Sequence, residues 1–283
     1  MTIDTDTPQS RRASGASEPP REAIRFRPPT GKLTMAVFQV LLGVAILLFW
    51  QIGAKAGFLD PFFFSDPVSV TEKIIDWFTS GSVYPHLIAT GEATLVSFVL
   101  GAVLGLVAGT LLGRVHFLER LFDPYIKMFN AMPRLLLAPI FLLWFGLGIG
   151  SKIALGVTLV FFLVFFNTLE AMKGVSQPLV DNSRMLGATQ WQLLTTVYLP
   201  SALGLIFSSL HSSIGFAIIG VVTGEYMGAF SGIGYVIAQA QGTFDTTGVF
   251  AGMITLMAFV LVIEFFIGKA ERRLLAWRAV GHK

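Results

Sequence analysis

The chain has 283 residues, of which 54% are hydrophobic and only 13% are charged, and its mean hydropathy is +0.71. A soluble domain usually carries about 25% charged residues, so this composition predicts a protein that is solvated mostly by lipid. Because the sequence contains no cysteine, a disulfide framework, a thiolate metal site and a thiol nucleophile are all excluded.

Residues 1–32 differ in composition from the rest of the chain. Pro, Ser, Arg and Glu dominate this stretch and large apolar residues are scarce, so it cannot bury enough surface to fold by itself. A secretory signal would place a short apolar core directly behind a basic start, whereas the first apolar run here follows Lys32 and has full membrane length. We predict a disordered cytoplasmic tail, 1–32, and a transmembrane domain, 33–283, whose first helix is not cleaved.

Six apolar segments reach or approach the roughly 20 residues that cross a bilayer core about 30 Å thick. They are 34–53, 93–112, 135–149, 153–172, 202–226 and 249–268. The third is short, and Pro139 inside it is tolerated only where neighbouring protein satisfies the freed carbonyl group. The sequence therefore predicts an all-α integral membrane protein with about six transmembrane helices.

Lysine and arginine lie on alternate connections between these segments. With the amino terminus inside, only Lys55, Lys73 and Lys152 fall on outer connections, and the other 17 of the 20 basic residues fall on inner ones. This distribution agrees with the positive-inside rule and predicts that both termini face the cytoplasm. Removing one helix would scramble the pattern, so the charges also support the count of six.

The second segment carries small residues at every fourth position. They are Ser97, Gly101, Gly105, Gly109 and Gly113. Small side chains in register let another helix approach closely, which matters in lipid because no hydrophobic force drives helices together there. Glycine is common in membrane helices in any case, but five small residues in register favour a helix-packing face.

The inner connection 173–200 is too long and too amphipathic to be a simple hairpin. Ser176 and Pro178 are typical of a helix start, Gly187 of a helix end, and 189–192 (TQWQ) of a capping box that opens a second helix. Two short helices meeting at Gly187 would expose a compact cytoplasmic surface for docking a soluble partner. The alternative is an interfacial element that only seals the membrane.

This connection resembles the cytoplasmic signature of the binding-protein-dependent ABC importer permeases. That signature reads Glu-Ala-Ala, three residues, Gly, nine residues, Ile, one residue, Leu-Pro. The chain keeps the full spacing, although Glu-Ala-Ala is only conservatively echoed; the matching positions are Asp181, Asn182, Ser183, Gly187, Val197, Leu199 and Pro200. Further stretches are similar to the nitrate, sulfonate and taurine branch: 132–148 (MPRLLLAPIFLLWFGLG), 186–192 (LGATQWQ), 224–228 (GEYMG), 232–237 (GIGYVI) and 271–277.

The resemblance implies a type I ABC permease in a bacterial inner membrane, with lipid around it and no nucleic-acid partner. It implies a second permease copy in a homodimer, two cytoplasmic ATP-binding subunits and an extracytoplasmic substrate-binding protein. The expected ATPase-coupling residues are Asp181, Asn182, Ser183, Gly187, Ala188, Leu199 and Pro200. The solute would be a small anion of the nitrate, sulfonate or taurine kind, or a pyrimidine-like or aromatic compound.

Polar side chains mark the fifth segment. Ser208, Ser209, Ser212 and Ser213 fall within an arc of about 140° on a helix with 3.6 residues per turn. Polar groups in lipid favour a bundle interior or a watery path, so we predict that these serines line the translocation path; hydrogen bonds between helices are the alternative. Glu225, near the outer mouth, is included in the path, with a gate, a helix-pinning role and a structural bond all left open.

Several chemistries have no motif in this chain. A phosphate-binding loop of the Gly, four residues, Gly-Lys-Ser/Thr type is missing, so ATP hydrolysis would take place on a separate subunit. Gly146, Gly148, Gly150 and Lys152 only superficially resemble such a loop and favour a tight outer hairpin. The four histidines are far apart, and neither a metal site nor a cofactor is predicted.

Two other function classes compete with an ATP-driven importer. A secondary transporter powered by an ion gradient would favour buried carboxylates and broken helices in paired repeats, but the sequence shows no convincing repeat. A membrane-embedded enzyme is a weaker alternative, because no nucleophile, base and orienting group fall on one face. The chain is therefore expected to carry no catalytic residue.

Overall fold

The computed structural model describes residues 31–274, so the predicted tail lies outside the described residues apart from its last two positions. Every element in the described part is helical, which confirms the all-α fold. The elements are α1 (Lys32–Lys55), α2 (Pro61–Phe64), α3 (Pro67–Ser80), α4 (Tyr84–Arg114), α5 (His116–Ala131), a 3₁₀ turn (Arg134–Leu137), α6 (Ala138–Phe145), α7 (Ile149–Lys173), α8 (Gln177–Met185), α9 (Gln190–Gln192), a π-helix (Leu193–Tyr198), α10 (Leu199–Met227), α11 (Ile233–Gly242) and α12 (Thr246–Leu274). The chain divides into two units, Met1–Leu48 and Phe49–Lys283, and α2 to α12 belong to the second.

Five helical stretches in the described part are long and apolar enough to cross a membrane. They are Leu33–Lys55, Tyr84–Arg114, Ile149–Lys173, Gln190–Met227 and Thr246–Lys269, and they confirm five of the six predicted spans. The second of them begins nine residues earlier than predicted, at Tyr84 instead of residue 93.

The third predicted span, 135–149, is wrong as a single helix. It forms the 3₁₀ turn and the eight-residue α6, which are bent by 89° from α5 and count as a sixth span only together with it. The bend lies at Pro133, whose ring disfavours helical backbone in the residue before it; Met132 is extended, with φ −78° and ψ 129°. Gly146 ends α6 at a φ of 70°.

The core of the second unit lies where α4, α7 and α10 meet. Val160 and Val164 of α7 are completely buried and pack with Ala102 of α4 and Ala217 of α10. Because lipid supplies no hydrophobic drive, such helices are held by close van der Waals packing between small and branched side chains.

At the opposite end from the connection 173–200, α3 and α11 cover the bundle. Asp66 caps α3 by accepting hydrogen bonds from the backbone N–H groups of Val68 and Ser69 at 3.0 and 3.1 Å. Lys73 of α3 forms an ion pair of 2.8 Å with Asp245, the residue just before α12. These contacts hold the outer helices in place and position the outer part of the site.

Candidate functional site

The connection 173–200 folds into a small helical unit at the start of α10. Val175, Val180, Leu193 and Val197 form its buried core. Two helices meet at Gly187, which has a φ of 84°, a conformation that glycine adopts readily and side chains with a Cβ do not. The predicted helix-turn-helix arrangement is therefore confirmed.

The capping box at residues 189–192 is confirmed as well. The N–H of Thr189 donates to Gln192 Oε1 at 2.8 Å, and the N–H of Gln192 donates to Thr189 Oγ1 at 3.3 Å. Ser176 stands at the N-cap position of α8, but its side chain makes no capping hydrogen bond. The second helix therefore starts with a specific cap, whereas the first starts with Pro178 in its first turn.

Large apolar side chains surround the turn at Gly187. Met185, Leu186 and Trp191 are 79%, 89% and 71% exposed. A Cβ on Gly187 would meet no atom within 4 Å, so the turn is open to an incoming surface. Exposed apolar clusters of this kind mark places where another molecule binds.

The residues matched to the family signature follow this unit from α8 to the start of α10. Asp181, Asn182 and Pro200 are exposed, and Ser183, Ala188 and Leu199 are half-buried. The Ser183 hydroxyl donates to the carbonyl oxygen of Leu179 at 2.9 Å, within its own helix. The coupling role of these residues stays a prediction.

A π-helix, Leu193–Tyr198, joins the connection to α10 without a break. The N–H of Leu199 donates to the carbonyl oxygen of Leu194, five residues earlier. Pro200 has no N–H and its ring displaces the carbonyl of the preceding turn, so a wider turn here is physically reasonable. The sequence analysis missed this element, which makes Gln190–Met227 one helical rod of 38 residues. π-turns inside helices are frequent at functional sites.

The glycines of α4 lie against α7. They are Gly101, Gly105, Gly109 and Gly113. A Cβ on Gly105 would lie 2.7 Å from the carbonyl oxygen of Phe161, and a Cβ on Gly101 would lie 2.9 Å from that of Val157. Both atoms belong to the α7 backbone and cannot move aside as a flexible side chain could.

The four serines of α10 divide between two sides of the helix. Ser209 and Ser213 are buried among neighbouring helices, and their hydroxyls donate to carbonyl oxygens three residues earlier, both at 2.8 Å. Ser208 and Ser212 are exposed, as is His211. Ser208, His211 and Ser212 therefore form a short exposed polar stripe, about one turn long, on α10. The role of the serines in the translocation path remains a prediction.

Glu225 is buried near the outer end of α10, with 2% of its surface exposed. Its carboxylate accepts the hydroxyl of Thr90 at 2.8 and 3.0 Å and the N–H of Gly234 at 2.9 Å. Thr90 is 135 positions away in sequence, and no periodicity or motif indicated it.

Lys152 is a second buried charge at this end and lies in the first turn of α7, next to the predicted outer hairpin. Its ammonium group donates to the carbonyl oxygens of Leu147 and Gly148, the latter at 2.6 Å, and attracts the carboxylate of Glu225. A polar cavity of about 240 Å³ lies beside both charges and is also lined by Glu92 and Ser231. Within residues 31–274, no group of three or more His, Asp and Glu side chains is arranged to hold a metal ion.

Comparisons with known proteins match most of the chain. The family model for the binding-protein-dependent transport system inner membrane component matches residues 101–276. The putative aliphatic sulfonates transport permease SsuC of Bacillus subtilis is 34% identical over 91% of this chain and 93% of its own length. The riboflavin transport system permease RibX of Chloroflexus aurantiacus is 31% identical over 83% and 87%. The taurine transport system permease TauC of Escherichia coli is 27% identical over the same shares.

A solved structure matches the fold. A chain of the MetNI methionine ABC transporter in an inward-facing conformation aligns with a TM-score of 0.58 and 22% identity, covering 70% of this chain and 95% of that one.

Proposed function

Since this chain belongs to the binding-protein-dependent transport system inner membrane component family, we propose that two copies of it form the translocation path of an ATP-driven importer. The chain is a multi-pass permease subunit of the inner membrane. In the proposed complex two cytoplasmic ATP-binding subunits dock on the two connections 173–200 and carry out the hydrolysis. An extracytoplasmic binding protein delivers the solute.

The exposed apolar turn around Gly187 is the observation that carries this proposal. Leu186 and Trp191 would be costly to leave in water, and they lie on a unit whose own core is already filled. A partner surface would cover them. Because the unit continues through the π-helix into α10, force applied at this turn acts directly on a helix that crosses the membrane. Closure of the ATP-binding subunits would thus switch the pore between inward-open and outward-open forms.

The exposed stripe on α10 supports pairing of two copies. Ser208, His211 and Ser212 lie on the outside of the single subunit, at membrane depth. Polar groups at that depth face protein or water and not lipid. A second copy against this face would enclose a polar path, with the buried Ser209 and Ser213 supporting it from behind.

The solute is a small molecule of the kind that the relatives' names describe. Aliphatic sulfonates, taurine and riboflavin occur in those names. The exposed stripe of α10 in the described part carries no Lys or Arg, so a fixed positive charge for an anion is missing from it. We therefore place anion recognition mainly on the binding protein.

The docking proposal is tested by Leu186→Asp. This side chain is 89% exposed, so the substitution leaves the fold intact but puts a charge on the docking turn. We expect the purified Leu186→Asp permease to lose its ATP-binding subunits. The Leu186→Met permease, which keeps an apolar side chain at this position, should retain them. Co-purification from cells that produce both proteins is the measurement. Full retention by Leu186→Asp would contradict the docking site, whereas a parent permease that purifies without ATP-binding subunits would favour a stand-alone secondary transporter.

A further inference from the structure

The first turn of α11 has an unusual set of hydrogen-bond partners. Three successive backbone N–H groups at a helix start normally bond to water or to a capping side chain just before the helix. Here Gly232 donates to His86 Nδ1 at 3.2 Å, Ile233 to Thr90 Oγ1 at 2.9 Å and Gly234 to Glu225 Oε2 at 2.9 Å. All three acceptors belong to other helices, so α4 and α10 cap α11 from outside.

Two of the three acceptors are also bonded to each other. Thr90 is completely buried and donates its hydroxyl to Glu225 while it accepts the N–H of Ile233. A hydroxyl that donates and accepts at once fixes the distance between α4, α10 and α11. Both oxygens of the Glu225 carboxylate take part, because Thr90 contacts each of them and Gly234 donates to Oε2.

Two glycines make this approach possible. Gly232 has a φ of 113°, and a Cβ there would overlap the carboxylate of Glu225. A Cβ on Gly234 would overlap the carbonyl oxygen of Val222. The start of α11 therefore fits against α10 only without side chains at these two positions, and any side chain would push the helix away from its acceptors.

Glu225 lies at the far end of α10 from the connection 173–200. The 29 residues of α10 span about 43 Å at 1.5 Å per residue. A cavity of about 290 Å³ is lined by His86 and by Val236, Gln239 and Ala240 of α11. A small displacement of α11 would therefore change the shape of this cavity.

We propose that Glu225, Thr90 and His86 are positioning residues that form an outer latch, through which a movement of α10 is passed to α11. The latch goes beyond the docking role of the connection 173–200 but rests on it, because the movement begins there. Glu225 serves as the anchor of a helix in this arrangement. It ties α11 to α10, so that α11 follows when the ATP-binding subunits act at the other end of the rod.

The test uses a reporter cysteine at Gln239, an exposed residue of α11, in this cysteine-free chain. In the complex with its ATP-binding subunits, the rate of labelling by an impermeant maleimide is measured without nucleotide and with ATP and orthovanadate. We expect Gln239→Cys to be labelled at different rates in the two states. We expect Thr90→Val, which removes the hydroxyl and keeps the volume, to abolish the difference while ATP hydrolysis continues.

Two further variants make the comparison specific. Thr90→Ser keeps a hydroxyl and should restore the difference. Thr94→Val is the matched control, since Thr94 is also buried on α4, one turn further along, and its hydroxyl has no hydrogen-bond partner in the described part of the chain. It should behave like the parent. If Thr90→Val does not accumulate, Glu225→Met, which has a similar volume and removes both oxygens that accept from Thr90 and Gly234, decides in the same assay.

Three results would overturn the latch. A difference that persists in Thr90→Val, or in Glu225→Met where Thr90→Val does not accumulate, shows that α11 follows α10 without these bonds, and an equal loss in Thr94→Val shows a general packing defect. A parent complex that hydrolyses ATP without any change at Gln239 shows that no movement arrives at α11. Failure of the parent to bind ATP-binding subunits is a different result, which refutes the docking proposal and removes the basis of the latch.

Discussion

Single side chains cap the starts of three helices in the described part of the chain, α2, α3 and α9. Asp66 is an example, because its carboxylate accepts two backbone N–H groups of α3 and the hydroxyl of Ser69 at 2.6 Å. These bonds, chiefly the one from the Ser69 hydroxyl, hold the pKa of Asp66 below its ordinary value of 3.8. A carboxyl group with a lowered pKa stabilises the fold above its unfolded pKa and loses that contribution as the pH falls through the folded one.

The Asp66 cap leads to a prediction about acid stability. Asp66→Asn keeps an oxygen that caps α3 but does not titrate, so its unfolding temperature in detergent should fall less than that of the parent below pH about 4. At neutral pH Asp66→Ala should cost about 1 kcal/mol, and Asp66→Asn much less. Thermal unfolding followed by circular dichroism from pH 7 to acid provides the measurement. An identical acid profile for the parent and Asp66→Asn would contradict the role of this carboxylate.

The serines of α10 lead to a second prediction at the same scale. In the cysteine-free chain, Ser208→Cys and Ser212→Cys should react with a hydrophilic maleimide, because a thiol on a watery path ionises and a thiol in lipid does not. Their neighbours Ser209→Cys and Ser213→Cys are matched controls, since both positions are buried, and they should stay unlabelled in the folded protein. If the exposed pair is also unreactive in membranes, that face of α10 meets lipid and the path lies elsewhere.

At the scale of whole helices, two kinds of sequence feature shape the bundle. Small residues bring α4 and α7 into backbone contact along most of their length, and proline and glycine interrupt the helices where the chain must turn. The bent pair of α5 and α6 belongs to the second kind. Its 89° bend at Pro133 is tolerable inside a membrane only where protein or water satisfies the freed backbone groups.

The glycine contacts predict the effect of a single methyl group. Gly105→Ala would place a Cβ 2.7 Å from the Phe161 carbonyl oxygen and should destabilise the fold by about 1 to 3 kcal/mol, with less folded protein recovered. Gly215→Ala is the control, because a Cβ there meets no atom within 4 Å. Size-exclusion profiles and unfolding temperatures in detergent distinguish the two. Equal stability of both variants would mean that α4 and α7 do not touch at Gly105.

For the molecule as a whole, the distribution of charge predicts the orientation in the membrane. The connection 173–200 and the loop that contains Ser231 lie at opposite ends of α10. The positive-inside pattern predicts that the first faces the cytoplasm and the second the outside. In this orientation the proposed docking turn would face the ATP-binding subunits and the proposed latch would face the binding protein.

Orientation is open to a direct test with two exposed serines. In intact spheroplasts, Ser231→Cys should be labelled by an impermeant maleimide and Ser176→Cys should not. After permeabilisation both should react, which shows that each thiol is accessible once the reagent is present on its side. Labelling of Ser176→Cys before permeabilisation would invert the assignment and remove the docking proposal.

The sequence by itself determined the features that depend on short stretches of chain. Five spans follow from runs of apolar residues, the capping box from four consecutive residues, and the left-handed turn from Gly187, because each is fixed by neighbours in the chain. The resemblance to the permease family likewise rested on the spacing within the connection 173–200 and on further short stretches of sequence.

The tertiary structure alone decided which distant side chains contact each other. Thr90 and Glu225 are 135 residues apart, and only the packing of α4 beside α10 brings their side chains together at the start of α11. Helical periodicity placed four serines within one arc, but the position of α7 and α4 decided that Ser209 and Ser213 are covered and Ser208 and Ser212 are not. Burial depends on neighbouring helices, and a periodic pattern in one helix does not contain that information.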